Sequence, residues 1–311
     1  MDEFNIIARH FAPLATTAGA FGLKDDAAAI TARPGFDLIV TTDQIAEGTD
    51  FFKHDPPATI AKKALRVNLS DLAAKGASPE YYLLNIALPQ GMTEEWLADF
   101  AAGLKSDQET YGISLLGGDT SATEGPLAIG VTAFGFVPQG RMVKRSGARP
   151  GDGIYVTGTI GDSAGGLAIF NREKHALTDI QRDHLIARYR VPEPPVDFGK
   201  HFLGNFATAS VDISDGLIAD IGHLASASGV AIEIDAEMIP LSDALRAFWG
   251  KGPEGILRAA TAGDDYQIAF TAPPGLSGPF TCIGQVRAGE GISLSVNGEK
   301  VVVPQPGYRH F

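Results

Sequence analysis

The chain alternates short apolar runs with longer stretches whose apolar residues recur every three or four positions, and it does so on both sides of a single break. This alternation constrains the fold most, because strand-period and helix-period patterns bury different residue sets and cannot exchange roles. Before the break, Asp37–Thr42 and Tyr81–Leu88 read as strands, and Ile113–Leu116 and Leu127–Phe136 are apolar and strand-like. Thr59–Gly76 places Ala61, Leu65, Leu69 and Leu72 on one helical stripe. Thr93–Tyr111 is an amphipathic helix with Thr93 as N-cap and Glu94 and Glu95 in its first turn. Glu3–Phe11 has Phe4, Ile7 and Phe11 at helical spacing and stops near Pro13.

The break is Pro138–Pro150, which holds Gly140, Gly147 and the basic residues Arg141, Lys144, Arg145 and Arg149 without a hydrophobic period. The pattern then restarts with a strand at Gly153–Thr157 and a glycine-rich turn, Gly158–Gly166, that leads into an apolar helix. A strand at Ala209–Ile213, a helix at Leu217–Ser228, a strand at Val230–Ile234 and a β-rich tail from Gln267 to Val303 follow. The expectation is a mixed α/β (α+β) fold in two domains, residues 1–138 and 146–311, with a crossing segment at 139–145. At roughly 150 residues per domain, a chain of 311 residues agrees with two.

Charge and cysteine content narrow the function classes. With 25 basic and 37 acidic side chains the net charge is −12, which opposes the phosphate neutralisation that nonspecific nucleic-acid binding needs. Anionic substrates remain compatible where divalent cations bridge carboxylates to the ligand. No run approaches the ~18 consecutive apolar residues of a membrane span. The opening Met1-Asp2-Glu3-Phe4 is acidic where a secretory signal is basic and then apolar, so a soluble cytoplasmic protein is expected. Cys282 is the single cysteine, which excludes an intramolecular disulfide framework, a cysteine zinc site and a CxxC pair. In its β-rich surroundings it reads as a small buried hydrophobe.

Three apolar runs each stop at an aspartate: Leu38–Asp43, Ile113–Asp119 and Ser210–Asp215, the last also containing Asp212. Asp25-Asp26 precedes the first strand, Asp71 lies to one side of the leucine stripe, and Asp264-Asp265 follows Gly263. Carboxylates at strand ends beside Gly, Ser and Thr suit Mg²⁺, a hard ion that takes oxygen ligands and bridges to phosphates. Thr41 and Thr42 can add hydroxyl or carbonyl oxygens. Taken singly, such residues also mark turns and caps, and Asp215 before Gly216 reads most readily as a cap. Six such groups together favour a multi-metal phosphate site. Gly117-Gly118 and the Gly158–Gly166 turn offer close backbone approach and helix-terminal amides to a phosphate, or, for Gly165 and Gly166, tight packing. The Arg141–Arg149 cluster is either a phosphate fork or a solvated linker. The chain has no GxxxxGK[ST] loop, no protein-kinase catalytic-loop set and no GxGxxG fingerprint, and its seven histidines show no metal-ligand spacing.

Read in order, these motifs resemble a known family. They are Asp25-Asp26-Ala-Ala, Thr41-Thr42-Asp43, Glu47-Gly48, Asn68-Leu-Ser-Asp71-Leu-Ala-Ala-Lys-Gly-Ala, Leu116-Gly-Gly-Asp119-Thr, Arg145-Ser-Gly-Ala-Arg-Pro-Gly-Asp152, Asp212-Ile-Ser-Asp215-Gly-Leu and Gly307-Tyr-Arg-His-Phe311. Over nearly the whole chain they look like the thiamine-monophosphate kinase family, within the superfamily that includes aminoimidazole ribonucleotide synthetase. The resemblance implies ATP-dependent phosphorylation of thiamine monophosphate to thiamine diphosphate, with several Mg²⁺ ions. It also implies an N-terminal α/β domain whose sheet pairs with its twin in a homodimer, and a C-terminal α/β domain that closes the active-site cleft. Asp26, Thr41, Thr42, Asp43, Asp71, Asp119, Asp212 and Asp215 match Mg²⁺-binding positions. Tyr111, Gly118, Asp119, Arg145 and Ser214 match ATP contacts, and Asp50, Asp264 and Tyr308 match positions around the thiamine phosphate. Lys24, Asp50 and Asp264 stand where the family usually has glycine, histidine and glutamate. No catalytic base is assigned, since the acceptor phosphate is already ionised at neutral pH. Two alternatives stay open: another ATP-dependent synthetase of the superfamily, and a nucleotide-binding sensor without turnover.

Overall fold

The computed structural model describes residues 3–174, 176–303 and 305–308. Arg309, His310 and Phe311, the end of the Gly307–Phe311 motif, lie outside them. The chain divides into two units, one of Met1–Leu72 with Ala77–Met142 and one of Ala73–Gly76 with Val143–Phe311.

The first unit opens with α1 (Glu3–Ile6), which continues as a π-turn over Ile7–Phe11 and a 3-10 turn over Ala12–Leu14. The single helix expected there is three short pieces, and Pro13, which has no amide to donate, lies in the last of them. Among the described residues a four-stranded sheet forms from β1 (Phe36–Ala46), β2 (Ser78–Pro89), β3 (Ser114–Thr123) and β4 (Ala128–Pro138), in the order β1-β4-β2-β3. β4 pairs antiparallel with both β1 and β2. β2 and β3 are parallel and are joined through α3 (Glu94–Tyr111), the crossover that a parallel pair requires. The Thr93 side chain accepts from Trp96 N and caps α3 as its sequence suggests.

Two sequence expectations need correction in this unit. First, the strands do not stop at their aspartates. β1 runs on through Asp43, opposite Val131, to Ala46, and β3 runs on through Asp119, opposite Asn85. Backbone pairing continues where the side chains turn polar, because the partner strands extend that far. Second, α2 (Pro57–Ala74) is no one-striped helix: Lys63, Arg66, Asn68 and Ser70 are buried along with its leucines. These polar groups have partners. Lys63 Nζ donates to Asp50 O (2.7 Å), Arg66 forks onto Asp107 with bonds of 2.7 and 2.8 Å, and Asn68 Nδ2 donates to Ala64 O (3.1 Å).

The second unit contains β5 (Gly153–Thr157), α4 (Asp162–Phe170), α5 (Asp179–Arg190), the short turns α6 (Val196–Phe198) and α7 (Gly204–Phe206), β6 (Ala209–Asp212) and α8 (Leu217–Ser228). These are followed by β7 (Ala231–Asp235), α9 (Asp243–Trp249), α10 (Pro253–Ala260), β8 (Ile268–Ala272), β9 (Phe280–Arg287), β10 (Gly291–Val296) and β11 (Glu299–Val301). Seven strands among the described residues make one sheet, β11-β10-β7-β9-β5-β8-β6, in which only β10 and β7 run parallel. β5, β6 and β8 are buried at every residue, which is why they read as unbroken apolar runs. Ile154, Val156, Val211, Ile221, Leu224 and Ile232 belong to the core. A separate aromatic group, Phe198, Phe206, Phe270 and Phe280, has ring centroids between 5.2 and 6.1 Å apart.

Gly166 and Gly165 serve packing: a Cβ on Gly166 would stand 2.3 Å from Leu185 O in α5, and one on Gly165 would stand 2.8 Å from Leu245 Cδ1 in α9. Cys282 is exposed, contrary to its reading as a buried hydrophobe. Strand alternation in β9 turns the neighbouring Ile283 inward and leaves the thiol outside. The mixed α/β architecture itself is the one the alternation of periods anticipates.

Candidate active site

The acidic groups of the first unit gather around β1 and α2. Thr41 and Asp43 share one face of β1, and Thr41 Oγ1 donates to Asp71 Oδ2 (2.5 Å) on α2. The Asp43 amide donates to Asn68 Oδ1 (3.0 Å), so a fully buried asparagine fixes the backbone at that position. Asp43 is exposed and Asp71 half-buried. Thr42 points to the opposite face and donates to Val131 O (3.1 Å). Asp119 is exposed on β3 and follows Gly118, whose added Cβ would fall 1.7 Å from Leu84 O. Asp26 is exposed, and its amide donates to Asp25 Oδ1 (2.8 Å). Tyr111, at the end of α3, has the Arg66 guanidinium over its ring at 5.2 Å. Asp50 closes the loop between β1 and α2: its carboxylate accepts from Ala46 N (2.7 Å) and its carbonyl from Lys63 Nζ.

In the second unit, three chain segments converge on Ser214-Asp215. Asp212 ends β6 and is buried. The Asp264 amide donates to Ser214 O, and the Tyr308 amide donates to Asp215 O, both at 2.8 Å. Asp264 and Tyr266 both adopt positive φ (70° and 51°), and Tyr266 Oη donates to Asp264 Oδ1 (3.2 Å). Asp215 is not the cap of α8 that its place before Gly216 suggests. Asp220, from inside the helix, takes the amides of Ser214, Asp215 and Gly216 at 3.0, 3.0 and 3.1 Å. Burial, with the Asp215 charge second, pushes the Asp220 carboxyl up to about 7 against the pull of those three amides. Arg145 is exposed, in a segment pinned by Ser228 Oγ donating to its carbonyl (3.2 Å).

A cavity of about 370 Å³ lies within this unit, bounded by the start of α4, the end of α5 and the Asp264–Gln267 segment. Asp265 lines it, takes the Gly161 amide at 2.8 and 2.9 Å, and is held far above the usual carboxylate range by burial. Asp162 accepts from Thr159 Oγ1 (2.6 Å) and Ser242 Oγ (2.5 Å), with His184 Nε2 at 3.2 Å. Asp265 belongs to one of the six acidic groups of the sequence, whereas Asp162 and Asp220 did not stand out there as functional groups. The only signal was an acidic residue in the first turn of a helix, for Asp162 and Asp220, which also describes ordinary capping.

The predicted metal positions are thus divided between the units: Asp26, Thr41, Thr42, Asp43, Asp71 and Asp119 in the first, Asp212 and Asp215 in the second. Among the described residues no three His, Cys, Asp or Glu side chains are gathered as a metal-binding group, and no helix is long and apolar enough to cross a membrane.

Residues 24–137 match the model for the N-terminal domain of AIR synthase related proteins, and residues 149–297 match that for the C-terminal domain. The thiamine-monophosphate kinase of Escherichia coli strain K12 is 41% identical over 324 residues, which cover 99% of this chain and 98% of that protein. The Bacillus subtilis enzyme of the same name is 33% identical over the full length of both. Among solved structures, the thiamine-monophosphate kinase of Stenotrophomonas maltophilia K279a superposes with a TM-score of 0.82 at 37% identity, covering 90% of this chain and 91% of that one. AaThiL complexed with AMPPCP and TMP gives the same TM-score and identity, with coverage of 90% and 89%. With this likeness running from end to end in sequence and holding through both units in structure, the chain belongs to the thiamine-monophosphate kinase family.

Proposed function

We propose that the protein is a kinase that transfers the γ-phosphoryl group of ATP to the phosphate of thiamine monophosphate, giving thiamine diphosphate and ADP. The observation that carries this reading is the end-to-end likeness to enzymes of that name, one of which is solved with AMPPCP and TMP.

The donor set fits Mg²⁺. Thr41, Asp43, Asp71 and Asp119 offer only oxygen, the carboxylates are exposed or half-buried, and no thiolate or imidazole competes in the set. Asp26, Thr41, Thr42, Asp43, Asp71 and Asp119 would hold the ions from the first unit, with Asp212 and Asp215 as the donors of the second. Bound Mg²⁺ neutralises charge shared between two anionic reactants and helps bring them in line. The chain's own groups supply position. Asn68 and Thr41 hold Asp43 and Asp71 in place, and Gly118, a nucleotide contact in this reading, lets β3 lie close against Leu84 of β2 and so sets the position of Asp119. Tyr111, Arg145 and Ser214 would contact the nucleotide, and Asp50, Asp264 and Tyr308 the thiamine phosphate. The acceptor oxygen is ionised, so no side chain has to remove a proton.

A homodimer is part of the proposal. β1 is an edge strand of eleven residues, and its outer face exposes Phe36, Leu38 and Val40 at 47%, 42% and 53%. A long apolar edge of this kind calls for a cover.

The test is incubation with ATP, Mg²⁺ and thiamine monophosphate, with thiamine diphosphate read by fluorescence after oxidation. Product is expected only with the monophosphate and is abolished by a chelator. ATP binding without product would replace the kinase with another acceptor or a sensor. Asp43→Asn and Asp71→Asn are expected to raise the Mg²⁺ requirement, and full activity of either variant at limiting Mg²⁺ would remove the metal role.

A further inference from the structure

The segment that leads from the basic run towards β5 is fixed along its main chain and free at one charged side chain. Val143 N donates to Lys75 O (3.2 Å) in the Ala73–Gly76 stretch of the same unit. Ser210 N, on the outer edge of the edge strand β6, donates to Lys144 O (2.9 Å). Gly147 adopts φ 129°, and a Cβ there would stand 2.4 Å from Thr208 O, so the turn lies tight against the residue that precedes β6. Arg145 is exposed, and among the described residues its guanidinium has no hydrogen bond or ion pair.

One side chain completes the hold. Ser228, half-buried, is the last residue of α8, and Gly229, left-handed at φ 64°, ends the helix directly after it. Its Oγ donates to Arg145 O and accepts from Gly147 N and Ala148 N, each at 3.2 Å. A hydroxyl has one proton and two lone pairs to bond with, so this one is used completely on the two sides of a single turn. Among the described residues, these three are the hydrogen bonds to residues 143–148 that a side chain makes, since Lys75 and Ser210 bind through main chain. At its other end α8 holds Ser214 through Asp220. One helix thus fixes both second-unit segments in which the kinase reading places nucleotide contacts, Ser214 and Arg145.

We propose that Ser228 is a positioning residue for the nucleotide: its hydroxyl holds the Arg145–Ala148 turn so that the Arg145 guanidinium is presented to the phosphates of ATP. The proposal deepens the kinase reading and rests on it for the nucleotide and for the contact with Arg145. Ser228 itself does not touch ATP. An arginine gives up rotamer freedom when its fork closes on a phosphate, and a main chain already fixed beneath it leaves only the side chain to be ordered.

The experiment is a double-mutant cycle on Ser228→Ala and Arg145→Ala. It is read as Kd for a non-hydrolysable ATP analogue with Mg²⁺ in calorimetric titration, and as KM for each substrate in turnover. Arg145→Ala should weaken the analogue about thirtyfold, the loss of a charge-assisted bond, and Ser228→Ala about fivefold. The double variant should bind no worse than Arg145→Ala, because Ser228 acts through Arg145, and KM for thiamine monophosphate in Ser228→Ala should stay within about twofold of wild type. Alanine is the best helix former, so α8 is retained, and Ser228→Gly removes the same hydroxyl if Ser228→Ala fails to fold. Additive losses in the double variant overturn the proposal, as does unchanged analogue binding in either single variant. Absence of thiamine diphosphate with the wild type would defeat the kinase reading by a separate readout, since the titration needs no acceptor.

Discussion

At the scale of single residues, the site depends on positions where backbone leaves no room. Gly118 has φ 152°, and a Cβ there would lie 1.7 Å from the oxygen and 2.6 Å from the carbon of the Leu84 carbonyl. Those atoms belong to a paired strand and cannot move aside. Gly118→Ala should lower the unfolding free energy by about 2 kcal/mol or more. Gly117→Ala, whose Cβ would meet Leu83 Cδ2 at an ordinary 3.4 Å, should cost under about 1 kcal/mol, and urea denaturation of the pair checks the contrast. Asp265 gives a prediction in pH. Burial raises its carboxyl in the folded protein, so the folded state binds the extra proton at a pH where the unfolded chain has released it. Its contribution to stability is therefore greatest below the ordinary carboxylate range and declines as pH rises from there towards the raised value. Asp265→Asn keeps an acceptor for the Gly161 amide and should flatten that decline in melts across the range. The sequence marked Asp43, Asp71 and Asp119 because they interrupt apolar patterns beside small residues. It marked Asp265 in the same way and gave no sign for Asp220, yet both take their own protein's amides, since whether a carboxylate faces a ligand or such amides depends on segments far away in the chain.

At the scale of elements, strands and helices with a clean period were legible and the rest were not. β5, β6 and β8 read as apolar runs because they are buried on both faces, and α3 read from its cap and first-turn acids. The far halves of β1 and β3 were hidden, because pairing with β4 and β2 carries them beyond their apolar letters. α2 was half-read: its leucine stripe is real, but burial on all sides follows from partners such as Asp107 on α3 that no local pattern reveals. The Arg66–Asp107 pair joins these two helices inside the unit. Asp107→Ala leaves a buried guanidinium unpaired and should cost about 3–5 kcal/mol in denaturant unfolding. Replacing both partners by apolar residues, Arg66→Met with Asp107→Leu, should recover most of that loss.

At the scale of the whole molecule, the net charge of −12 and the exposed face of β1 bear on assembly. Leu38→Lys places a charge in the middle of the apolar edge and should convert the proposed dimer to a monomer in sedimentation, with the fold retained by circular dichroism. A wild-type chain that sediments as a monomer would remove the dimer from the proposal. The strand order of the first unit also bears on how the chain is made. β4 lies between β1 and β2 yet is the last of the four to leave the ribosome, and Phe36 pairs with Pro138. At about 5–20 residues per second, β1 is made roughly 5–20 s before its strand partner is complete. The first unit therefore closes from its later end, so that a translational pause before β4 has emerged from the ribosome prolongs the exposure of β1 to aggregation and chaperones, while a pause after its emergence does not.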